Sequence, residues 1–155
     1  EMAECSLTSS QHQFLKTARV GTLATVDGDG HPHIVPVVFV LDGGRVYTPI
    51  DGKPKSNLHG LRRLRNIRKN SKTSLLISQY EEDWTHLGFL ILRGTAMILE
   101  NTPTFSHPAG EEAECRKAEM LLREKYPQYE TVPMGGPGGL FIRITFDRAI
   151  SWGMI

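Results

Sequence analysis

Residues 31–41, "HPHIVPVVFVL", are apolar on both faces of an extended chain. Val35, Val37, Phe39 and Leu41 fall on one face and Ile34, Val38 and Val40 on the other, so the alternation of a strand with one wet face is missing. A strand of this kind has to be covered on each side. Pro36 inside the run has no backbone donor, which predicts an edge, a bulge, or a place where something other than a neighbouring strand meets the backbone.

The rest of the chain supplies partners for such a strand. "VGTLATV" (20–26), "DGDG" (27–30), the apolar run and "DGG" (42–44) followed by "RVYTPI" (45–50) read as a three-strand antiparallel meander. "TSLLISQY" (73–80), "LGFLILRGTAMIL" (87–99) and "LFIRITFDRAISW" (140–152) bring the expected total to six strands. Three helices are expected. The first, in "LTSSQHQFLKTA", has Thr8, Ser9 and Ser10 as candidate N-caps. The second, "NLHGLRRLRNIRKN", starts near Asn57 and carries Leu58, Leu61, Leu64 and Ile67 as an apolar stripe. The third, "EEAECRKAEMLLREKY" (111–126), has its acids first and its cations later, as the helix dipole favours. Strands joined mostly by short turns favour an α+β, mainly β, antiparallel barrel or sheet over βαβ units.

At 155 residues the chain is of ordinary size for one domain, taken as residues 8–155, with residues 1–7 a disordered or tag-derived N-terminus. Cys5 and Cys115 make neither a disulfide framework nor a metal pattern, and point to a reducing cytoplasm. No apolar run approaches a membrane span, and an overall charge of +1 without a helix-turn-helix argues against nucleic acid.

The charge is unevenly placed. From Lys53 to Tyr80 there is no acid, while Lys53, Lys55, Arg62, Arg63, Arg65, Arg68, Lys69 and Lys72 all fall there. A local anion site follows from this asymmetry. Lys53 and Lys55 stand between a strand end and a helix start, where a phosphate would suit them; a solvated Lys-Pro-Lys turn is the alternative. Arg62, Arg63 and Arg65 fit either a long acidic tail or a solvated helix face. His31 and His33 lack an evident third ligand, so no metal is expected. "GGPGG" (135–139) lacks phosphate-loop spacing and reads as a flexible linker. No nucleophile motif is present, and the catalytic residues are left unassigned.

Taken together, "HPHIVPVVF", "YTPIDGKPK", "LRRLRNIRKN" and "YEEDW" resemble the flavin-binding split-barrel superfamily related to pyridoxamine 5′-phosphate oxidase, and most closely its coenzyme F420 (deazaflavin)-dependent oxidoreductases. The resemblance covers about residues 10–100 and, more loosely, the last strand. It implies a six-stranded antiparallel split β-barrel with flanking helices, a homodimer, and cofactor bound at the subunit interface. His33, Ile34, Val35, Pro36, Val37 and Val38 would then form the wall against the ring, Tyr47 and Thr48 would contact it from the next strand, and Lys53 and Lys55 would hold the phosphate. Arg62 and Arg63 would lie along an anionic tail, and Phe89 stands where the true oxidases place a flavin-contacting Gln. The oxidases' C-terminal substrate segment, rich in Trp, Arg and His, is missing from "DRAISWGMI", which disfavours vitamin B6 oxidation. The implied activity is hydride transfer between F420 and a small organic substrate. FMN in the same site, or a carrier that binds without turnover, are the alternatives.

Overall fold

The computed structural model describes residues 5–51, 60–102 and 109–155. Its elements are α1 (Ser9–Thr17), β1 (Gly21–Val26), β2 (Pro32–Val37), β3 (Val40–Asp42), β4 (Arg45–Ile50), α2 (Arg62–Lys69), β5 (Lys72–Gln79), β6 (Gly88–Glu100), α3 (Ala109–Lys125) and β7 (Leu140–Gly153). All strand pairs are antiparallel, in one seven-stranded sheet of order β2-β1-β5-β6-β7-β4-β3. The class is mixed and mainly strand.

Seven strands replace the expected six, and the reason lies in the opening run. It is two strands. β2 ends at Val37 and pairs with β1, whereas β3 begins at Val40 and pairs with β4. The expected three-strand meander is therefore two hairpins at opposite ends of the sheet.

That break dictates curvature. A flat sheet of this order would hold its edge strands about 29 Å apart, from six spacings of about 4.8 Å. The chain from Val37 to Val40 reaches at most about 11 Å, three Cα steps of about 3.8 Å. The sheet must curl until its two edges approach at this corner. No ladder joins β2 to β3 among the described residues, so the sheet is not closed.

Alternation along the strands divides the packing into two clusters. Leu23, Leu75, Leu92, Ile142 and Ile144 point into the curl, where Leu15 of α1 and Leu64 and Ile67 of α2 join them. Tyr47, Leu99 and Phe141 pack instead beneath α3, against Cys115, Ala118 and Leu122, whose spacing puts them on one helical stripe. Thr8 closes a capping box with Gln11 at the start of α1. α2 is anchored by the buried Asn66, whose Nδ2 donates to Thr25 Oγ1 at 3.0 Å. It begins at Arg62 rather than near Asn57; Asn57 and Leu58 lie outside the described residues.

The 135–139 stretch is not a loose linker. Gly135, Gly136 and Gly138 take positive φ of 69°, 72° and 76°, a conformation open to glycine at little cost. The turn is held by Gly136 N–H donating to Glu119, Gly138 N–H to the Asn101 carbonyl, and Asn101 Nδ2 to the Gly136 carbonyl. Among the described residues no helix is long and apolar enough to cross a membrane.

α3 is also tied to the sheet by charge. Glu114 accepts from Tyr47 Oη at 2.7 Å, from Arg143 Nη1 at 2.8 and 2.9 Å, and from Arg45 Nη1 at 3.2 Å. Burial pushes its carboxyl up, but the bonds from Arg143 and Tyr47 and the two arginine charges outweigh that and hold it below the ordinary 4.5. A lowered folded-state value stabilises the protein above the unfolded value, and the gain is lost as pH falls through the folded one. Glu114→Gln should therefore cost about 1.5–3 kcal/mol at pH 7, the worth of hydrogen bonds to a charged group. In urea melts the gap from wild type should shrink as pH drops below 4.5; a gap unchanged at pH 3 would contradict this ion cluster.

Candidate functional site

The corner where β2 gives way to β3 is pinned by one hydroxyl. Tyr126 Oη accepts from the Phe39 N–H at 3.2 Å and lies 3.1 and 3.0 Å from the carbonyls of Phe39 and Arg19. It has one proton to donate, so it serves one carbonyl at a time. The Phe39 backbone, with no ladder partner between the strands, is thereby satisfied inside the protein.

Beside this corner opens a cavity of about 230 Å³. Val20, Pro36, Val37 and Val38 give it an apolar wall; Thr48, Pro49, Asp51 and Arg63 bring β4 and α2 to the same space. Pro36 fits here because β2 is an edge strand bonded only to β1, so its missing donor removes no ladder bond on the open side.

Polar groups in the cavity are unevenly satisfied. Asp51 accepts a short hydrogen bond from the Tyr129 hydroxyl. Burial pushes the Tyr129 phenol upward, and its bond to Asp51 adds to the shift. Arg63 is half-buried, and its Nε is shielded from solvent without a hydrogen-bond partner. Burial lowers the Arg63 pKa, the Asp51 charge opposing. A guanidinium desolvated in this way is costly unless an anion completes it.

The predicted site residues divide. Pro36, Val37, Val38, Thr48 and Arg63 converge on the cavity. Ile34 and His33 lie farther along β2, Ile34 on the outer face at 66% exposure, while half-buried Val35 packs against the inner cluster. Tyr47 does not face the cavity: alternation along β4 turns it beneath α3, where Glu114 holds its hydroxyl. Arg62 is exposed at the start of α2. Phe89 is three strands from β2 and stacks on Trp152 with centroids 5.9 Å apart. Lys53 and Lys55 lie outside the described residues, in the segment between Asp51 and α2. Val20, Asp51 and Tyr129 were not expected; Asp51 sits inside the "YTPIDGKPK" motif, but nothing local marks Tyr129 as its partner.

Comparison with known proteins fits this arrangement. The pyridoxamine 5′-phosphate oxidase family model matches residues 7–152, and the chain belongs to that family. A 5a,11a-dehydrotetracycline/5a,11a-dehydrooxytetracycline reductase from Streptomyces rimosus is 30% identical over 93 residues, 59% of this chain and 63% of the reductase. Among solved structures, a conserved hypothetical protein from Mycobacterium tuberculosis superposes with TM-score 0.68 at 19% identity, covering 97% of this chain and 88% of that one. A FAD-binding protein from Mesorhizobium loti superposes with TM-score 0.64 at 18% identity, covering 94% of each chain.

Because Arg63 Nε is desolvated and unpartnered, added inorganic phosphate should stabilise the wild type and not Arg63→Gln. At about five times its Kd the gain is about 1 kcal/mol. Thermal melts with phosphate against chloride at equal ionic strength read this out; equal shifts in both proteins would remove Arg63 as an anion ligand.

Proposed function

We propose that this cavity and the Lys53–Lys55 segment hold a phosphate-bearing, flavin-type cofactor, coenzyme F420 in preference to FMN, in an oxidoreductase that reduces a small organic substrate. The observation that carries the proposal is the shielded, unpartnered Arg63 Nε facing an apolar wall at Pro36–Val38, in a chain of the pyridoxamine 5′-phosphate oxidase family. The donor set suits such a ligand: a cation for phosphate, a buried Thr48 hydroxyl, and an apolar strip at Pro36–Val38. That the Streptomyces rimosus relative is named a reductase favours reduction.

Hydride transfer is the chemistry such a cofactor supplies when bound. The chain's own part is binding and orientation. Arg63, with Lys53 and Lys55, neutralises the phosphate. Pro36, Val37 and Val38 keep water from the ring face and leave no side-chain donor there to compete. Beyond Arg63, the exposed Arg62 on the first turn of α2 gives the glutamate tail of F420 a cation that FMN has no use for. The Pro36–Val38 wall itself carries no acid; the carboxylate that lines the cavity is Asp51, which accepts from the Tyr129 hydroxyl.

A second copy of the chain completes the site in this proposal. Ile34 and Pro36 on β2, Leu76 on β5 and Trp152 on β7 are exposed apolar groups of one sheet, a surface that soluble chains generally bury against a partner. Ile34 and Pro36 would then contact the cofactor from one protomer while the other supplies the opposite wall.

Fluorescence titration with F420 and, separately, FMN is the test. F420 should bind the wild type more tightly, and Lys53→Ala and Lys55→Ala should each weaken binding by about 1–3 kcal/mol. The same samples should scatter light as two chains. Tighter FMN binding would make FMN the cofactor. Reduced cofactor that binds but is oxidised by no acceptor would make the protein a carrier. No binding of either, or unchanged affinity in both lysine variants, would overturn the site.

A further inference from the structure

A second and larger cavity, about 380 Å³, lies between α1 and α3. It shares no lining residue with the cavity at Arg63. Lys16, Arg19 and Lys125 bring three cations to it and His12 an imidazole, against the single carboxylate of Glu124; Val40, Leu41 and Leu121 form its apolar side.

The cations are held by rings and carbonyls rather than by acids. Lys125 Nζ sits 4.1 Å from the centroid of Phe39 and 5.4 Å from that of Tyr126, and donates to the Leu15 carbonyl at 3.2 Å. One of its three donors is thus used. The Arg19 guanidinium lies 4.5 Å from the Tyr126 ring centroid and gives one bond, 2.9 Å, to the Lys125 carbonyl. Among the described residues no carboxylate forms an ion pair with Lys16, Arg19 or Lys125. Elsewhere α3 pairs its cations readily: Arg116 with Glu112, Lys117 with Asp42, Arg123 with Glu119. Burial, and then the neighbouring Arg19, push Lys125 down to about 8.

An anion entering here meets two donors, Arg19 and Lys125, whose positions are already set by cation–π contacts, while the exposed Lys16 has still to be ordered. Val40, Leu41 and Leu121 add aliphatic surface to the lining. The volume lies at the small end of the range for ligand pockets.

We propose that the α1–α3 cleft binds a small organic anion, a carboxylate on an apolar body, at a site separate from the one proposed for the cofactor. Lys16 and Arg19 receive the carboxylate, Lys125 closes it from below, and Val40, Leu41 and Leu121 take the apolar part.

Benzoate is a suitable probe, with benzyl alcohol as its neutral counterpart and inorganic phosphate as an anion without an apolar body. In amide ¹H–¹⁵N spectra of the full chain, benzoate should give saturable shifts at Lys16, Arg19, Leu121 and Lys125. Benzyl alcohol should not saturate over the same range, and phosphate should bind at these residues at least tenfold more weakly. Lys16 is an exposed helix residue, so Lys16→Gln and Lys16→Glu should fold as the wild type does, the first weakening benzoate several-fold and the second abolishing saturation. Absence of saturation in the wild type would overturn the proposal. So would equal binding of benzyl alcohol, phosphate equal to benzoate at these residues, unchanged affinity in both Lys16 variants, or benzoate shifts confined to Pro36–Val38 and Arg63. Because these shifts are read without cofactor, a failure here leaves the cofactor proposal standing, and a failed F420 titration leaves this one standing.

Discussion

The constraint on which the rest of this structure depends is covalent: the links at Val38 and Phe39 join strands at opposite ends of a seven-stranded sheet. Such a link can be made only if the sheet curls, and the curl is what gives the inner cluster an inside. At the link the backbone leaves the ladder, so its polar groups need other partners. The Tyr126 hydroxyl, at the end of α3, accepts from the Phe39 N–H and donates to the carbonyl of Phe39 or of Arg19, one at a time. That one side chain therefore couples the edge of the sheet, the exit from α1 and the seating of α3.

The same corner creates the cavity at Arg63 and bounds the cleft between the helices. Val38, beside the first, and Val40, in the second, flank Phe39, whose ring carries the Lys125 ammonium. Two spaces of different chemistry thus lie on either side of a three-residue crossing. One has an apolar wall and a shielded guanidinium, the other a ring-supported set of cations. Neither arises from a single element, and each needs the sheet to have curled first.

What could be read before folding follows from range. An N-cap among Thr8, Ser9 and Ser10, the strands around Leu75, Leu92 and Ile144, and the stripe at Leu64 and Ile67 are local patterns, and the structure keeps them, with Thr8 as the cap. The apolar run at 31–41 was legible as unusual, and Pro36 as marking an edge, a bulge or a non-strand contact, of which the structure shows the edge, but the division of the run into two strands was not legible. Its lack of alternation has two causes: β2 leaves Ile34 and Pro36 exposed in the single chain, and beyond Val37 the period is interrupted because Phe39 and Val40 are both buried. Both halves of the run pair with hairpin neighbours, Val37 with Gly21 and Val40 with Tyr47; what the local pattern does not carry is that the two hairpins stand at opposite ends of the sheet. Site residues followed the same division. Pro36, Val37, Val38, Thr48 and Arg63 came from motifs read in order along the chain. Tyr47 turns to α3 rather than to the corner cavity because the face of β4 is set by a helix far away in sequence, and the place of Asp51 carried no local signal because its partner Tyr129 is as distant.

The central claim is that the corner cavity, with Arg63 at one end and the Pro36–Val38 wall along it, is where the cofactor sits. A crystal structure of the protein grown with coenzyme F420 tests it most directly. The account predicts phosphate density within hydrogen-bonding distance of the Arg63 guanidinium and the ring edge against Pro36, Val37 and Val38, with a second protomer closing the other side. Ordered cofactor elsewhere, with the Arg63 guanidinium facing only solvent and the Pro36–Val38 wall bare, would contradict it.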